Sequence, residues 1–104
     1  MAINKLKIML SFMKEVNNGN MATASDYGIT DSEFYDIIDA CQNGGFITGA
    51  AFVRGGKGNK IRLCYTEGIK LTVKGLEYLQ ENSTIMRTYR GLQEIRDWLD
   101  LLPL

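Results

Sequence analysis

The sequence predicts an α+β domain in which helices flank a single β-hairpin. Residues 46–53 and 60–65 are rich in β-branched and aromatic residues, which favour strands. Between them, residues 54–59 contain three glycines and an asparagine, which supply the positive φ angles of a hairpin tip. A capped helix is predicted on each side of this hairpin. This order is the plan of a winged helix, with a helix-turn-helix core, a β-hairpin wing and an appended C-terminal helix.

Two helical segments are predicted at the start of the chain. Apolar residues recur there at helical spacing, which predicts a helix over about residues 3–16. Gly19 can adopt the left-handed conformation that ends such a helix. Residues 21–27 predict one further helical turn, which Gly28 closes.

The helix before the hairpin has the clearest local signals. Thr30 and Glu33 form a capping box, so the helix begins at Asp31. Gly44 and Gly45 end it. Its predicted core face consists of Phe34, Ile37, Ile38 and Cys41. In a winged helix this element is the recognition helix that enters the major groove.

Two helices are predicted after the hairpin. Thr72 caps the first, which reaches about Asn82. The second is the appended C-terminal helix over residues 84–102, and we expect it to dock with Trp98 buried. Two series of its residues lie at seven-residue spacing, namely Ile85, Leu92 and Leu99, and Thr88, Ile95 and Leu102. Such a stripe packs on the first helix or, in the alternative, forms the seam of a homodimer.

Length and composition predict one soluble, cytoplasmic domain. A chain of 104 residues is too short for two independent cores, so residues 1–104 form a single domain. Twelve basic and twelve acidic residues cancel, so the overall field attracts neither nucleic acid nor an acidic membrane. No apolar run approaches the length of a membrane span. Lysines interrupt the apolar pattern of the first helix, which argues against a signal peptide.

Catalytic chemistry has little support in the residue types present. The chain contains no histidine, which removes the most common general base and zinc ligand. Cys41 and Cys64 lie far apart in sequence, and two cysteines cannot complete a structural zinc site by themselves. Both are predicted to be structural residues of the core. We therefore expect a non-enzymatic protein with no metal and no cofactor.

The outward face of the helix before the hairpin is predicted to be acidic. It consists of Ser32, Asp36, Asp39 and Asn43, flanked by Tyr35. From Glu15 to Val53 there are six carboxylates and no lysine or arginine. Such a face opposes contact with phosphates. The first interpretation is a solvated surface, the second a docking surface for a basic protein partner, and the least favoured is insertion into a DNA groove.

The predicted hairpin has the opposite charge. Arg54, Lys57, Lys60 and Arg62 fall within nine residues that contain no carboxylate. If the chain binds nucleic acid, these four residues are predicted to contact phosphates or a minor groove. The alternative is that they protect an exposed hairpin edge from aggregation.

Residues 71–82 also resemble a known family. Their sequence, LTVKGLEYLQEN, is similar to the L-T-x-K-G-x-x-Y-L-x-E-N block of the YjcQ family of short bacterial and phage proteins. The N-terminal helix, the segment ASDYGIT at residues 24–30 and a final helix ending near Trp98 also fit that family. The resemblance therefore covers nearly the whole chain. It implies a winged-helix fold of DNA-binding-like type, with no assigned activity and no catalytic residues to carry over.

Two functions follow as expectations. The first is a bacterial or phage DNA-binding regulator that contacts duplex DNA weakly, with little sequence preference, mainly through its basic wing. The alternative is a protein-interaction or dimerisation module that binds no nucleic acid. Its predicted contact residues are Tyr35, Asp36 and Asp39 on the acidic helix and Trp98 on the C-terminal helix. Fold resemblance favours the regulator, and the placement of charge favours the module.

Overall fold

The computed structural model describes residues 4–101 and shows helices around two small antiparallel sheets. The helices are α1 (Lys5–Asn17), α2 (Ala24–Tyr27), α3 (Asp31–Asn43), α4 (Val73–Glu81), α5 (Ser83–Met86) and α6 (Ile95–Asp100), with a 3₁₀ turn at Leu92–Glu94. The strands are β1 (Ile47–Thr48), β2 (Ala51–Gly55), β3 (Lys60–Tyr65) and β4 (Lys70–Leu71). The predicted α+β class is confirmed. Among the helices of this range, none is both long and apolar enough to cross a bilayer.

Helix α1 lies at the centre of the core. Its buried apolar residues are Ile8, Leu10, Phe12 and Met13, which point in several directions around the helix. The side-chain oxygen of Asn4 caps its start by accepting a hydrogen bond from the backbone N–H of Lys7 at 3.2 Å. Gly19 follows its end with φ at +83°, as predicted. The predicted start at Ile3 lies outside the described residues.

Capping boxes start both α2 and α3. As predicted, Thr30 and Glu33 exchange hydrogen bonds, with backbone N–H to side-chain oxygen distances of 2.9 and 3.1 Å. Thr23 and Asp26 form a second capping box, which was not predicted. Gly28 ends α2 with φ at +69° and turns the chain into α3. The predicted core face of α3 is buried, which confirms Phe34, Ile37, Ile38 and Cys41.

The strand predicted over residues 46–53 is two strands in the structure. The first, β1, pairs with β4, whereas β2 pairs with β3, so the chain changes sheet near Gly49. Gly49 permits this change because its φ is +89° and a side chain there would overlap the carbonyl of Gly68. The Gln42 amide holds the break, accepting from the N–H of Ala50 at 2.9 Å and donating to its carbonyl at 3.0 Å. The hairpin prediction is confirmed, but the β1–β4 pair was missed.

The start of α4 ties the base of the hairpin to the rest of the molecule. Thr72 caps α4 as predicted, with its hydroxyl oxygen 3.0 Å from the backbone nitrogen of Gly75. The backbone N–H of Thr72 donates to the carbonyl of Phe46 at 3.0 Å, and its hydroxyl donates to the carbonyl of Gly45. Gly75 is buried against the same Phe46 carbonyl, which a side chain at this position would overlap. The hairpin therefore leaves the core at a tightly packed junction.

The prediction of one continuous C-terminal helix over residues 84–102 is wrong for the part that the structure describes. Helix α5 ends at Met86, and regular structure resumes only with the 3₁₀ turn and α6. Gly91 lies between them with φ at +100°, which is incompatible with a right-handed helix. The residues at seven-residue spacing therefore do not form one stripe. The predicted burial of Trp98 is confirmed, because 2% of its surface is exposed.

Candidate nucleic-acid interface

The β2–β3 hairpin carries all four residues that the sequence assigned to nucleic-acid contact. Its cross-strand pairs are Ala51–Tyr65, Phe52–Cys64, Val53–Leu63, Arg54–Ile61 and Gly55–Lys60. The register shifts between Val53 and Arg54, so Arg62 has no partner opposite it. At the tip, Gly56, Gly58 and Asn59 all have positive φ. The bulge and this tip together set where each basic side chain leaves the hairpin.

One face of the hairpin packs towards the core and α3. Phe52 and Cys64 lie opposite each other on this face, and both contact the buried core. Arg54 shares the face, with its guanidinium carbon 5.9 Å from the centroid of the Phe52 ring. Its Nη2 atom lies 3.4 Å from Oδ2 of Asp39 on α3. The basic hairpin and the acidic helix therefore meet at one ion pair.

The structure divides the four predicted basic residues into two held and two free side chains. Arg54 pairs with Asp39, and Arg62 donates from Nε to the carbonyl of Gly55 at 3.2 Å. Lys57 and Lys60 are exposed at the tip and, among residues 4–101, neither has a carboxylate partner. A phosphate approaching the tip would therefore meet two unpaired ammonium groups first.

The outward face of α3 agrees with the predicted one. Ser32, Asp36 and Asn43 are exposed, and Tyr35 and Asp39 are partly exposed. The carboxylate of Asp39 is turned towards the hairpin and pairs with Arg54, whereas Asp36 has no cationic partner within the described range. The acidic surface is thus real, and it borders the basic hairpin directly.

The second face of the hairpin is apolar and open to solvent, and it was not predicted from the sequence. Val53, Leu63 and Tyr65 have exposed fractions of 45%, 40% and 55%. They belong to the cross-strand pairs that alternate with the core-facing pair, so they lie on the opposite side of the sheet. The signal was present in the sequence as apolar residues at every position of 63–65, which exceeds the alternation of a half-buried strand.

The comparisons with known proteins identify the family. The family model described as "YjcQ protein" matches residues 3–98. The chain belongs to the YjcQ family. A protein of Bacillus subtilis (strain 168) named "Uncharacterized protein YjcQ" is 33% identical over 98 residues, which cover 93% of this chain and 99% of that protein. No solved structure gives a significant match. The resemblance found in the sequence is therefore confirmed.

Away from the hairpin, a buried polar cluster in this YjcQ chain fastens the C-terminal segment to α1. The hydroxyl of Ser11 lies 2.9 Å from that of Tyr27 and 2.8 Å from that of Tyr89. Tyr89 also donates to the Glu15 carboxylate, which accepts a second hydrogen bond from Asn20 at 3.0 Å. Burial raises the pKa of Tyr27, and burial together with the hydrogen bond to Glu15 raises the pKa of Tyr89. Each of these polar groups has a hydrogen-bond partner within the cluster, which fixes the C-terminal segment on α1.

Trp98 belongs to the same docked segment. Its indole N–H donates to the hydroxyl of Thr88 at 3.0 Å, and its ring meets that of Tyr89 edge-on with 4.8 Å between centroids. The ammonium of Lys7 lies 5.1 Å from the Trp98 ring centroid and donates to the Trp98 carbonyl at 2.8 Å. Of the residues predicted for partner contact, Tyr35, Asp36 and Asp39 reach the surface, whereas Trp98 is enclosed.

The two cysteines of this YjcQ chain lie in apolar surroundings. Burial raises the pKa of the Cys41 thiol to about 12, so it remains protonated at neutral pH. Burial and, to a smaller extent, the charge of Asp39 raise the pKa of the Cys64 thiol. Both positions are structural. In the part of the chain that the structure describes, no three side chains of the metal-ligating types lie together.

Proposed function

We propose that this YjcQ chain is a non-enzymatic winged-helix protein that acts as a DNA-binding regulator and contacts duplex DNA mainly through a basic wing. The wing is the β2–β3 hairpin, residues 51–65. The observation that carries the proposal is the pair of exposed, unpaired lysines at its tip, Lys57 and Lys60, with Arg54 and Arg62 beside them. Positive side chains supply most of the affinity of proteins for nucleic acid because they neutralise phosphates and release counterions.

The order of elements supports the winged-helix assignment. Three helices precede the hairpin, α3 contacts β3 and pairs with Arg54 of β2 through Asp39, and α4 follows the hairpin after the short strand β4. In such domains the helix in the position of α3 enters the major groove and the hairpin contacts the adjacent backbone. The acidic face of α3 makes this chain unusual, because Asp36 and Asp39 would repel phosphates. We therefore assign binding to the wing and not to α3.

Weak, sequence-tolerant binding is the expected behaviour. A tip of two free lysines and two arginines can neutralise about four phosphates, which gives a slope of log affinity against log salt of roughly −3 to −4. None of the four side chains is held by a rigid polar network that would place it against a base edge. Contacts of this kind position a protein on a duplex without reading its sequence.

The test is a fluorescence anisotropy titration of a random-sequence duplex at several salt concentrations. The proposal expects measurable affinity at low salt and the slope given above. Absence of binding by the wild-type chain at the lowest salt would remove the regulator interpretation.

A second candidate function has its own supporting observation. Asp36, Asp39 and the partly exposed Tyr35 form an acidic surface on α3, and the segment from Glu15 to Val53 has no positive side chain. This surface suits a basic protein partner, and such a module would bind no nucleic acid. Trp98 takes no part in this version because it is enclosed. Homodimerisation through the C-terminal segment stays a prediction, which light scattering of the purified chain would test.

A further inference from the structure

Duplex binding by the tip leaves the outer face of the wing without a role. Val53, Leu63 and Tyr65 stand on it next to one another across and along the two strands. Tyr65 is the most exposed of the three, at 55%. Exposed apolar residues that are contiguous, and not scattered, mark a surface that meets another molecule.

We propose that this face is a stacking surface for unpaired bases, so that the wing binds single-stranded or locally opened DNA more tightly than fully paired duplex. Tyr65 offers its ring to one base, and Val53 and Leu63 form the apolar floor beside it. The basic side chains of the tip hold the phosphates of the same strand. This inference rests on the proposed function, since it requires that the wing meets nucleic acid.

The charge around the face favours nucleic acid as the occupant. No aspartate or glutamate occurs from residue 40 to residue 66, whereas Arg54, Lys57, Lys60 and Arg62 all lie in that stretch. An apolar and aromatic surface bordered by cations is the arrangement that binds single strands, because every base has a flat face and every nucleotide carries a phosphate. In a duplex those faces are covered by neighbouring bases, so Tyr65 can stack only where the strand is open.

A second copy of the chain fits the face less well. Two wings packed face to face would bring together two sets of four cations, of which only Arg54 is paired, within residues 4–101, with a carboxylate, that of Asp39. An acidic partner avoids this repulsion. Nucleic acid combines negatively charged phosphates, which suit the basic tip, with flat apolar bases, which suit the outer face of the wing.

The spacing along β3 is compatible with one strand that contacts both parts. Tyr65 and Lys60 are the two ends of β3, so their Cα atoms lie about 17 Å apart at the usual rise of a strand. Along the axis of a duplex, the phosphates of one DNA strand repeat every 3.4 Å or so, and they lie further apart when the strand is extended. The base on Tyr65 and the phosphate near Lys60 therefore belong to different nucleotides of a short segment.

The experiment compares three fluorescent DNA ligands of one sequence at low salt: the single strand, the full duplex, and the duplex with a central unpaired bubble. We expect the wild-type chain to bind the single strand and the bubble about tenfold more tightly than the duplex. Tyr65→Ala should abolish this preference and leave duplex affinity unchanged within about twofold. Tyr65→Phe should retain it. Val73→Ala is the matched control, because Val73 is a highly exposed aliphatic residue on α4, at 72%.

The outcomes separate this inference from the proposed function. Equal wild-type affinity for all three ligands would overturn the stacking surface and leave duplex binding by the wing in place. A Tyr65→Ala variant that weakens all three ligands equally would overturn it in the same way. If no DNA is bound but an acidic amphipathic peptide is, both the inference and the proposed function are wrong. The wild-type comparison needs no variant, so it decides even if Tyr65→Ala folds poorly.

Discussion

The acidic helix α3 and the basic hairpin β2–β3 lie close together in the chain but differ in charge and in how much of their apolar surface is buried. Helix α3 begins at a capping box, buries four apolar residues and turns Asp36 to solvent. The hairpin has a glycine-rich tip, two free lysines and an apolar outer face. The twelve positive and twelve negative residues of the chain cancel in number, but the cations of the hairpin and the carboxylates of α3 lie on different elements. A net charge of zero therefore says nothing about the local field at either surface.

Among the described residues, one ion pair joins charged side chains of the two regions. The side chains of Arg54 and Asp39 are 42% and 26% exposed, so water and salt screen their attraction. A pair of this kind stabilises the fold by about 0.2–1 kcal/mol. The contact is thus too weak to hold the hairpin on the helix, and it can exchange for a phosphate at small cost. Attachment of the hairpin depends instead on its packing at Phe52, Cys64 and the start of α4.

The largest expected effect comes from removing the charge of the basic region. Replacing Arg54, Lys57, Lys60 and Arg62 by alanine should lower duplex affinity at low salt by about two orders of magnitude and bring the salt slope close to zero. Anisotropy titrations at several salt concentrations measure both quantities. Unaltered affinity in the fourfold variant would show that the hairpin is not the contact surface and would leave α3 or another face as the site.

The next effect concerns the junction that carries the hairpin. Gly75→Ala should reduce the free energy of unfolding by about 1–3 kcal/mol, because the new methyl group overlaps the carbonyl of Phe46 and the Leu71 side chain. This loss should exceed the gain that alanine brings to a helix. Gly55→Ala is the control, since nothing lies within 4 Å of a Cβ there. Denaturant titration followed by circular dichroism measures both, and a Gly75→Ala protein as stable as wild type would refute the tight junction.

Alkaline pH tests how the helix side is anchored. The ring of Tyr27 contacts Phe34 of α3, at 6.0 Å between centroids, and Tyr27 and Tyr89 share the buried cluster on Ser11. Their folded-state pKa values are raised above the ordinary tyrosine value of about 10, so the folded chain keeps protons that the unfolded chain loses. Their stabilising contribution is complete below pH 10 and falls as pH rises above it. For Tyr27 the loss is about 1 kcal/mol at pH 11.

Melting temperatures between about pH 8 and pH 11 measure this effect. Tyr27→Phe should flatten the decline above pH 10, because one of the two titrating hydroxyls is removed. Tyr35→Phe should leave the decline as it is, since Tyr35 lies on the outward face of α3. If both variants give the same profile as wild type, the cluster does not link folding to pH.

The smallest effect is the most direct probe of the contrast between the two regions. Replacing Asp36 and Asp39 by asparagine should tighten duplex binding by about two- to fivefold, because two negative charges near the wing are removed and Arg54 is released. The same change should weaken binding to a basic protein partner. Asp97→Asn on α6 removes one charge away from the hairpin and should change duplex affinity less. Weaker duplex binding by the double variant would contradict the proposed roles of both surfaces.

Several elements were predictable because their signals lie within a few residues of one another. The Thr30 capping box, the glycines that end α1, α2 and α3, the Thr72 cap and the glycine-rich tip of the hairpin all appear where the sequence placed them. Each depends on hydrogen bonds or φ angles inside one turn, so the neighbouring residues suffice. The positive and negative surfaces were predictable for the same reason, since charge is a property of residue type.

The elements that were missed depend on residues far apart in the chain. The β1–β4 pair joins Ile47 to Leu71 and consists of two residues on each strand, too few for a periodic pattern to show. The C-terminal segment has the spacing of a long helix, but it breaks at Gly91, and Tyr89 and Trp98 form contacts within the core. Tertiary packing outweighs helix propensity in a segment of this length.

For the candidate site, the sequence by itself determined which side chains are charged, that four cations cluster at a glycine-rich tip, and that the helix beside them is acidic. The tertiary structure alone decided which of these cations are free. Arg54 lies on the face of the hairpin that meets α3 and pairs with Asp39, while Lys57 and Lys60 stay in solvent. The tertiary structure also decided which face of the hairpin is covered, because a strand with apolar residues on both sides can bury only the side that meets the core.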